Sequence, residues 1–290
     1  MIKADIIEDS IAPSGKRLTT FILKYPRFIH SEFMTHRVFS RNASSSRAIP
    51  FKRQVEMIRE EIAEPICFLA NKKGMQGGEP LNEMRQRIGT TVWREAAENA
   101  IAMATKLDKL GVHKQYVNRI LEPFSHISVI CSATELDNFF ALRYHSMAQP
   151  EIKELAIRMY EKYSLNKPNE LDHGDWHLPF VSDQEKEKYY TTRDINVLDK
   201  LIKKSVACCA RVSYHNHDKT DPTHEQNEIL YRRLLSSQPI HASPAEHQAL
   251  AVTDPNKKSG NFSGWIQYRK TLANENVDKF IPGLLDKEQK

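Results

Sequence analysis

Between residues 91 and 110, Trp93, Ala97, Ala100, Ile101, Ala104 and Leu107 recur at the three-and-four spacing of one helix face. Gly111 follows, where the left-handed residue that closes a helix belongs. A helix this long draws its stability from packing its apolar stripe, so the chain must build other layers against it. Further helices are expected at 51–62, 134–144, 151–163, 195–209 and 225–236, with a short one at 265–272. Thr134 is the expected N-cap of the second of these, which turns Leu136, Phe139 and Phe140 inward. Residues 18–30 read as strand, rich in β-branched and aromatic side chains and interrupted near Pro26. Segment 71–80 reads as a surface loop and 164–193 as a polar connection. Helices dominate and do not alternate regularly with strands. That favours α+β, a mainly antiparallel sheet packed by long helices, over a doubly wound parallel sheet. No sharp linker divides the chain, so one integrated domain is expected over 1–290.

Composition removes several classes. No apolar run approaches the roughly 20 residues of a spanning helix, and MIKADIIEDS places acids where a signal peptide would be apolar. Four cysteines with no CxxC pair are too few for a disulfide scaffold or a zinc site, so a cytoplasmic protein without metal is expected. Cys67 and Cys131 lie in apolar surroundings and read as buried. The net charge of +5 suits nucleic acid or a small phosphorylated ligand equally. No GxGxxG, GxxxxGK[ST] or GxSxG segment occurs, which argues against Rossmann, P-loop and hydrolase-elbow sites.

Chemistry concentrates in three places. THRVFSRNASSSR, residues 35–47, packs a histidine, three arginines, an asparagine and four serines into a turn after the strand. Arginine forks with hydroxyl and amide donors make an anion-binding turn, although a solvated basic loop has the same composition. Aromatics do not interleave with the charges, which disfavours a nucleic-acid arm. Arg119 in VNRILEP and Arg143 in NFFALRYH lie within apolar helical patterns, where a cation needs a partner: a ligand or a structural ion pair. HASPAEH, residues 241–247, reads as a helix start with Ser243 as cap and Pro244 in the first turn. That leaves His241 outside the helix and free to meet a ligand, while Glu246 and His247 can be structural. HGDWH, residues 173–177, could chelate through His173, Asp175 and His177, but such short runs are common in loops.

Taken together these segments resemble the flavin-dependent thymidylate synthases. That family's motif R-H-R-x-x-S-x-N-E-x-S-x-R-Y, reached through a strand ending in P-x-F, is matched by Pro26 and Phe28 and then by His36, Arg37, Ser40, Asn42, Ser45 and Arg47. GVHKQYVNRILEP and SATELDNFFALRYHSMAQPEIKELA resemble its helical block, and ARVSY at 210–214 and HASPAEH resemble its two remaining hallmarks. In the family those two precede the R-H-R motif, whereas here they follow it. The resemblance therefore implies a circular permutation: 1–165 carries the motif strand and helical block, 195–254 the relocated segment, and 255–290 a tail.

By the same resemblance, His36, Arg37, Asn138, Ser213 and His241 would contact FAD. Ser45, Arg47 and Arg119 would hold the phosphate of a pyrimidine deoxynucleoside monophosphate, and Arg143 would face the base and stabilise negative charge at N3. The implied reaction is methylation of dUMP to dTMP with 5,10-methylenetetrahydrofolate as one-carbon donor and NADPH as reductant, in a homotetramer whose sites are shared. The chain departs from the pattern where Thr35 replaces Arg, Ala43 replaces Glu, Ala48 replaces Tyr and Glu32 replaces Gln. A carboxylate at Glu32, close to the nucleotide, could favour a base bearing an amino group. A hydroxymethylase or an enzyme of dCMP is thus an alternative, and a non-catalytic nucleic-acid-binding relative is another.

Overall fold

The structure, a computed structural model, describes residues 1–213, 222–237 and 239–277. The Ser213 side chain, Tyr214 and residues 278–290 of the expected tail lie outside the described residues. Strands β1 (Lys3–Ile11) and β2 (Arg17–Pro26) precede a short helix, α1 (His30–Met34), and strand β3 (Ser40–Ala43). Helices α2 (Phe51–Glu60), α3 (Glu83–Lys109) and α4 (Lys114–Val117) lead to β4 (His126–Ala133), α5 (Asp137–Arg143) and α6 (Pro150–Leu165). Two short strands follow, β5 (Asn169–Glu170) and β6 (Trp176–His177), then α7 (Asp183–Thr192), α8 (Ile195–Ala210) and α9 (His224–Leu235). The last strands are β7 (Ala249–Ala251), β8 (Lys258–Ser259), β9 (Phe262–Ser263) and β10 (Trp265–Gln267).

The large sheet has the order β3-β4-β2-β1-β5, and β10-β7-β6 forms a smaller one. Every pairing is antiparallel except β1 with β5, so the expected α+β architecture holds. Register sets the two faces of the large sheet. Phe21, Leu23 and Tyr25 lie opposite Cys131, Val129 and Ile127. These side chains share one core with Phe33 of α1, Phe139 of α5 and Ile152, Leu155, Ala156 and Met159 of α6. Each such aliphatic or aromatic side chain contributes about 1.5–3 kcal/mol when taken fully out of water. On the opposite face Ile22 and Ile130 meet Cys209 and Val212 at the end of α8. A register shift between Ile6 and Glu8 turns Glu8 and Ser10 toward that second face, where both are buried.

Helix α3 begins eight residues before the expected 91, with Asn82 accepting from the Arg85 amide at 3.0 Å. Its first turns escaped the periodicity because Met84 and Ile88 there are exposed. At its other end Gly111 adopts φ +77°, and the Val112 amide donates to Leu107 and the Gly111 amide to Asp108 at 3.1 and 2.9 Å. This is the paired closure that a left-handed glycine permits.

Five other expectations change. Helix α5 starts at Asp137, because the Thr134 hydroxyl accepts from the Ser263 amide at 3.1 Å and caps nothing. HASPAEH forms a single 3-10 turn, Ser243–Glu246, in which Ser243 is no cap. Residues 265–272 split into β10 and a 3-10 turn, Tyr268–Thr271. The stretch 164–193 contains α7, held by a reciprocal capping box between Ser182 and Glu185. Cys67 is half-buried, while Cys131 is buried as expected.

Candidate functional site

The turn after α1 is shaped by Arg41. From β3 its Nη1 donates to the carbonyls of Phe33, Met34 and His36 at 3.2, 3.0 and 3.1 Å. A guanidinium at a helix C-terminus satisfies orphan carbonyls and opposes their partial charge. The turn delivers His36 to a buried position, stacked on Phe39 and edge-on to Phe139 of α5, with ring centroids 4.9 Å apart in the second pair. Its Nε2 accepts from Arg143 Nε at 2.9 Å. Accepting there places the neutral ring's proton on Nδ1. Burial, then the nearby Arg143 and Arg41 cations, holds His36 down at about 4, so it is neutral near pH 7.

Arg143 is therefore held from three sides. Besides His36, its Nη2 donates to Thr35 Oγ1 at 3.4 Å, and its Nη1 lies 3.5 Å from Glu32 Oε2. The Phe139–Arg143 spacing predicted an inward face, and the structure brings Glu32, Thr35, His36 and Arg143 into one group at the junction of α1 and α5.

The second half of the basic turn is fixed by different elements. Asn118 Nδ2 donates to the carbonyls of Ser46 and Ile49 at 2.8 and 2.9 Å, and Lys114 Nζ to that of Ala48 at 3.0 Å. Glu122 accepts from the Ser46 hydroxyl at 2.6 Å and from Arg119 Nη1 through both oxygens. Arg119 is thus no buried cation of an apolar helix; it is exposed on a 3-10 turn and paired with Glu122. Arg27, absent from the sequence-based set, donates to the Ser44 carbonyl at 3.1 Å and lies 3.8 Å from Glu122. Burial, opposed by Glu122 and aided by Arg119, lowers its pKa. Its signal in the sequence was only one arginine beside Pro26, and Asn118 was a lone amide. Ser45 and Arg47 protrude from this turn with no side-chain partner among the described residues.

The C-terminal blocks reach the same place through Asn42. Its Nδ2 donates to the Cys209 carbonyl at the end of α8 at 2.7 Å, and its Oδ1 accepts from the Ser243 hydroxyl at 3.1 Å. Gln267 Nε2 adds a bond from β10 to Ser40 Oγ at 3.0 Å. Asn42 and Ser40 on β3 thus join the basic turn to the residues around ARVS and HASPAEH. Arg37, Asn138 and His241 are exposed and make no side-chain hydrogen bond or ion pair among the described residues.

HGDWH is not arranged as a chelating set. His173 is exposed, Asp175 pairs with Arg193, and among the described residues no His, Cys, Asp and Glu group could bind a metal. His177 enters a buried polar chain on the second face of the sheet. His247 Nδ1 meets Ser132 Oγ at 2.8 Å, Ser132 meets Thr20 Oγ1 at 2.7 Å, and Thr20 meets His177 Nε2 at 2.8 Å. His177 Nδ1 continues to Ser10 Oγ at 3.0 Å, and Ser10 to Glu8, which pairs with Lys186. Burial drives His247 down to about 3 and His177 well below its usual value, and lifts Glu8 to about 7. A cleft of about 890 Å³ opens elsewhere, among Ile58, Ile62, Glu64, Arg94 and Arg158. Its arginines pair with neighbouring carboxylates, as Arg94 does with Glu64 and Arg158 with Glu154. None of the residues discussed for the site lines it.

Among the described residues, no helix is long and apolar enough to cross a membrane. The family model described as thymidylate synthase complementing protein matches residues 17–169. No curated protein sequence matches the chain. Among solved structures, the chain is similar to a UMP/dUMP methylase, PolB from Streptomyces cacaoi, bound with 5-Br UMP. Identity there is 14%, with 57% of this chain and 89% of that chain covered and a TM-score of 0.46. Another structure of the same methylase, bound with 5-Br dUMP, gives 18% identity, 51% and 67% coverage and a TM-score of 0.41.

Proposed function

The chain belongs to the thymidylate synthase complementing protein family, and from that premise we propose that it transfers a one-carbon unit to C5 of a pyrimidine deoxynucleoside monophosphate. The donor is 5,10-methylenetetrahydrofolate. In the form the family resemblance implies, dUMP, the folate and reduced FAD give dTMP, tetrahydrofolate and oxidised FAD, with NADPH restoring the flavin. The observation that carries the reading is Arg143, a guanidinium fixed by His36, Thr35 and Glu32 at the end of α5. A cation already oriented for the base needs no reorganisation as charge develops there. Ser45 and Arg47, donors left uncommitted on a rigidly anchored turn, suit the phosphate. Arg119 would join them from its exposed pair with Glu122.

The residues present fit a flavin. Arg37, Asn138 and His241 offer a cation, an amide and an imidazole, exposed and without side-chain partners among the described residues, which is a donor set for an anionic, hydrogen-bonding cofactor. Ser213 completes the proposed set. When bound, the flavin supplies the hydride that makes the transferred carbon a methyl group. This chain's own part is to bind and orient, with His36 keeping Arg143 in place as a neutral acceptor. A protein thiolate is not called on: burial pushes the Cys131 thiol up to about 12 and the Cys209 thiol well above its usual value. The Asn42 bonds to Cys209 and Ser243 support the permutation, since they seat the late blocks beside the early motif. We propose a homotetramer by the same family resemblance.

Two measurements test the reading. Purified protein reconstituted with FAD should show flavin absorbance, and with methylenetetrahydrofolate and a reductant it should release tritium from a C5-labelled pyrimidine deoxynucleotide. Protein that stays colourless and releases no label from either uracil or cytosine nucleotides overturns it. A second reading, transfer to dCMP, with a methyl or hydroxymethyl product, is favoured by one specific observation: Glu32 stands against Arg143.

A further inference from the structure

Glu32 and Thr35 occupy positions where the motif carries a neutral amide and a second arginine, and the structure shows both on the same guanidinium. Arg143 Nη1 is 3.5 Å from Glu32 Oε2, and Nη2 reaches Thr35 Oγ1 at 3.4 Å. His36 takes Nε and is neutral. Arg143, Glu32 and Thr35 therefore sum to no net charge, whereas glutamine at 32 and arginine at 35 beside Arg143 would leave two positive charges. Glu32 is also partly exposed, so its second oxygen remains open to a ligand.

Resting on the reading that Arg143 faces N3 of the base, we propose that Glu32 selects a 4-aminopyrimidine, so that the substrate is dCMP. A pyrimidine edge offers O2, N3 and the substituent at C4. With Arg143 at N3, a side chain 3.5 Å beside it meets O2 or the C4 substituent. An ionised carboxylate only accepts hydrogen bonds. It is repelled by O2 of either base and by O4 of uracil, and only the cytosine amino group donates to it. The N3 of cytosine is an acceptor, matching the Arg143 donors, whereas neutral uracil presents an N–H there.

The developing charge agrees. Uracil becomes nucleophilic at C5 by placing negative charge over N3, C4 and O4, which calls for uncompensated cations. In cytosine N1 pushes electrons through C6 to C5, and no negative charge develops at the N3 edge. As C5 bonds to the methylene carbon of the folate, whose carbon–nitrogen bond breaks with its pair to nitrogen, positive charge falls on C6 and N1, which the neutral Glu32–Arg143 pair does not oppose. Loss of the C5 proton to water then restores the ring.

The test compares dCMP and dUMP in two assays on the flavin-loaded protein: equilibrium dialysis of each nucleotide, and C5 tritium release with methylenetetrahydrofolate and a reductant. We expect dCMP to bind and react about 100-fold better than dUMP, because the Glu32 carboxylate gains a hydrogen bond from the cytosine amino group and is repelled by O4 of uracil. Glu32→Gln, whose amide both donates and accepts, should lower that preference about 10-fold or more. Tighter binding of dUMP, or an unchanged preference in Glu32→Gln, overturns the inference. A dCMP preference in dialysis without label release leaves the inference standing and removes the one-carbon reading. Binding of neither nucleotide overturns both.

Discussion

Two polar assemblies flank the large sheet, and they differ in how completely they are satisfied. On the second face, Glu8, Ser10, His177, Thr20, Ser132 and His247 form a continuous buried chain that ends on the Lys186 cation. On the helices covering the first face, Arg143, Glu32 and Thr35 are partly exposed around the buried His36, and Arg37, Ser45, Arg47 and Asn138 have no side-chain partner among the described residues. A closed buried network specifies packing, because each member lost strands another away from water. An open set of oriented donors has its remaining capacity free for a ligand. The contrast separates residues that hold the fold from residues proposed to hold substrate, although both sets are rich in the same side chains.

Arg143→Ala tests the open assembly and carries the largest expected effect. Label release from the pyrimidine should fall by about 10²–10³-fold, the usual loss when one preplaced charge donor is removed. FAD titration should hardly change and thermal melting should fall only slightly, since the guanidinium is partly exposed and water can take its place on His36. Retained turnover would show that the open assembly is no reaction site.

For the buried chain the balance is reversed. His177→Ala strands the Thr20 and Ser10 hydroxyls, and denaturant unfolding should show a loss of about 2–4 kcal/mol. Turnover per folded molecule should stay within about 2-fold, in keeping with a group that meets no substrate. A large loss of turnover with intact stability would merge the two assemblies into one. Asn42→Ala lies between them. Losing its bonds to Cys209 and Ser243 should cost about 1–2 kcal/mol. It should also weaken FAD affinity, because His241 sits two residues from the released Ser243.

The same contrast explains what the sequence disclosed. Helices α3, α6 and α8 were legible because their buried residues recur at helical spacing against one core. Strand β1 was not, since the register shift at Ile6 and Glu8 breaks its alternation and two of its acids, Glu8 and Asp9, are buried. Asp9 is buried there, taking both a bidentate pair from Arg17 and a bond from Thr19. Helix α7 was hidden because nearly every side chain is exposed or half-exposed, so capping alone marks it. Site chemistry was readable where motif residues are contiguous, as in His36 to Arg47. It failed for Arg27 and Asn118, whose roles depend on carbonyls of the turn 44–50 that only the folded chain brings to them. His177 looked like a ligand for a metal because a buried, doubly hydrogen-bonded histidine leaves the same trace in a sequence.

The smallest expected effect is in the pH dependence of stability, and it separates the signs of the two kinds of buried acid and base. His36 at about 4, His247 at about 3 and His177 are all held below the ordinary value of 6.5 by burial. The unfolded chain therefore binds more protons below 6.5, and stability should rise with pH up to that point and then level. Glu8 runs the other way: its folded value of about 7 against 4.5 unfolded means the folded chain holds the proton, so stability falls as pH rises between them. Together with His30 and His126, which burial also lowers to about 4, these histidines outweigh one carboxyl over most of that range. Melting temperature should climb from pH 4 to about 6.5 and then slip slightly toward pH 7, where only Glu8 still titrates. Glu8→Gln should abolish the slip while leaving the climb, and His177→Phe should make the climb shallower while leaving the slip. A melting curve that declines steadily from pH 4 to 7 would mean that the carboxyl dominates, and that the second face is tuned by Glu8 and Lys186 rather than by its histidines.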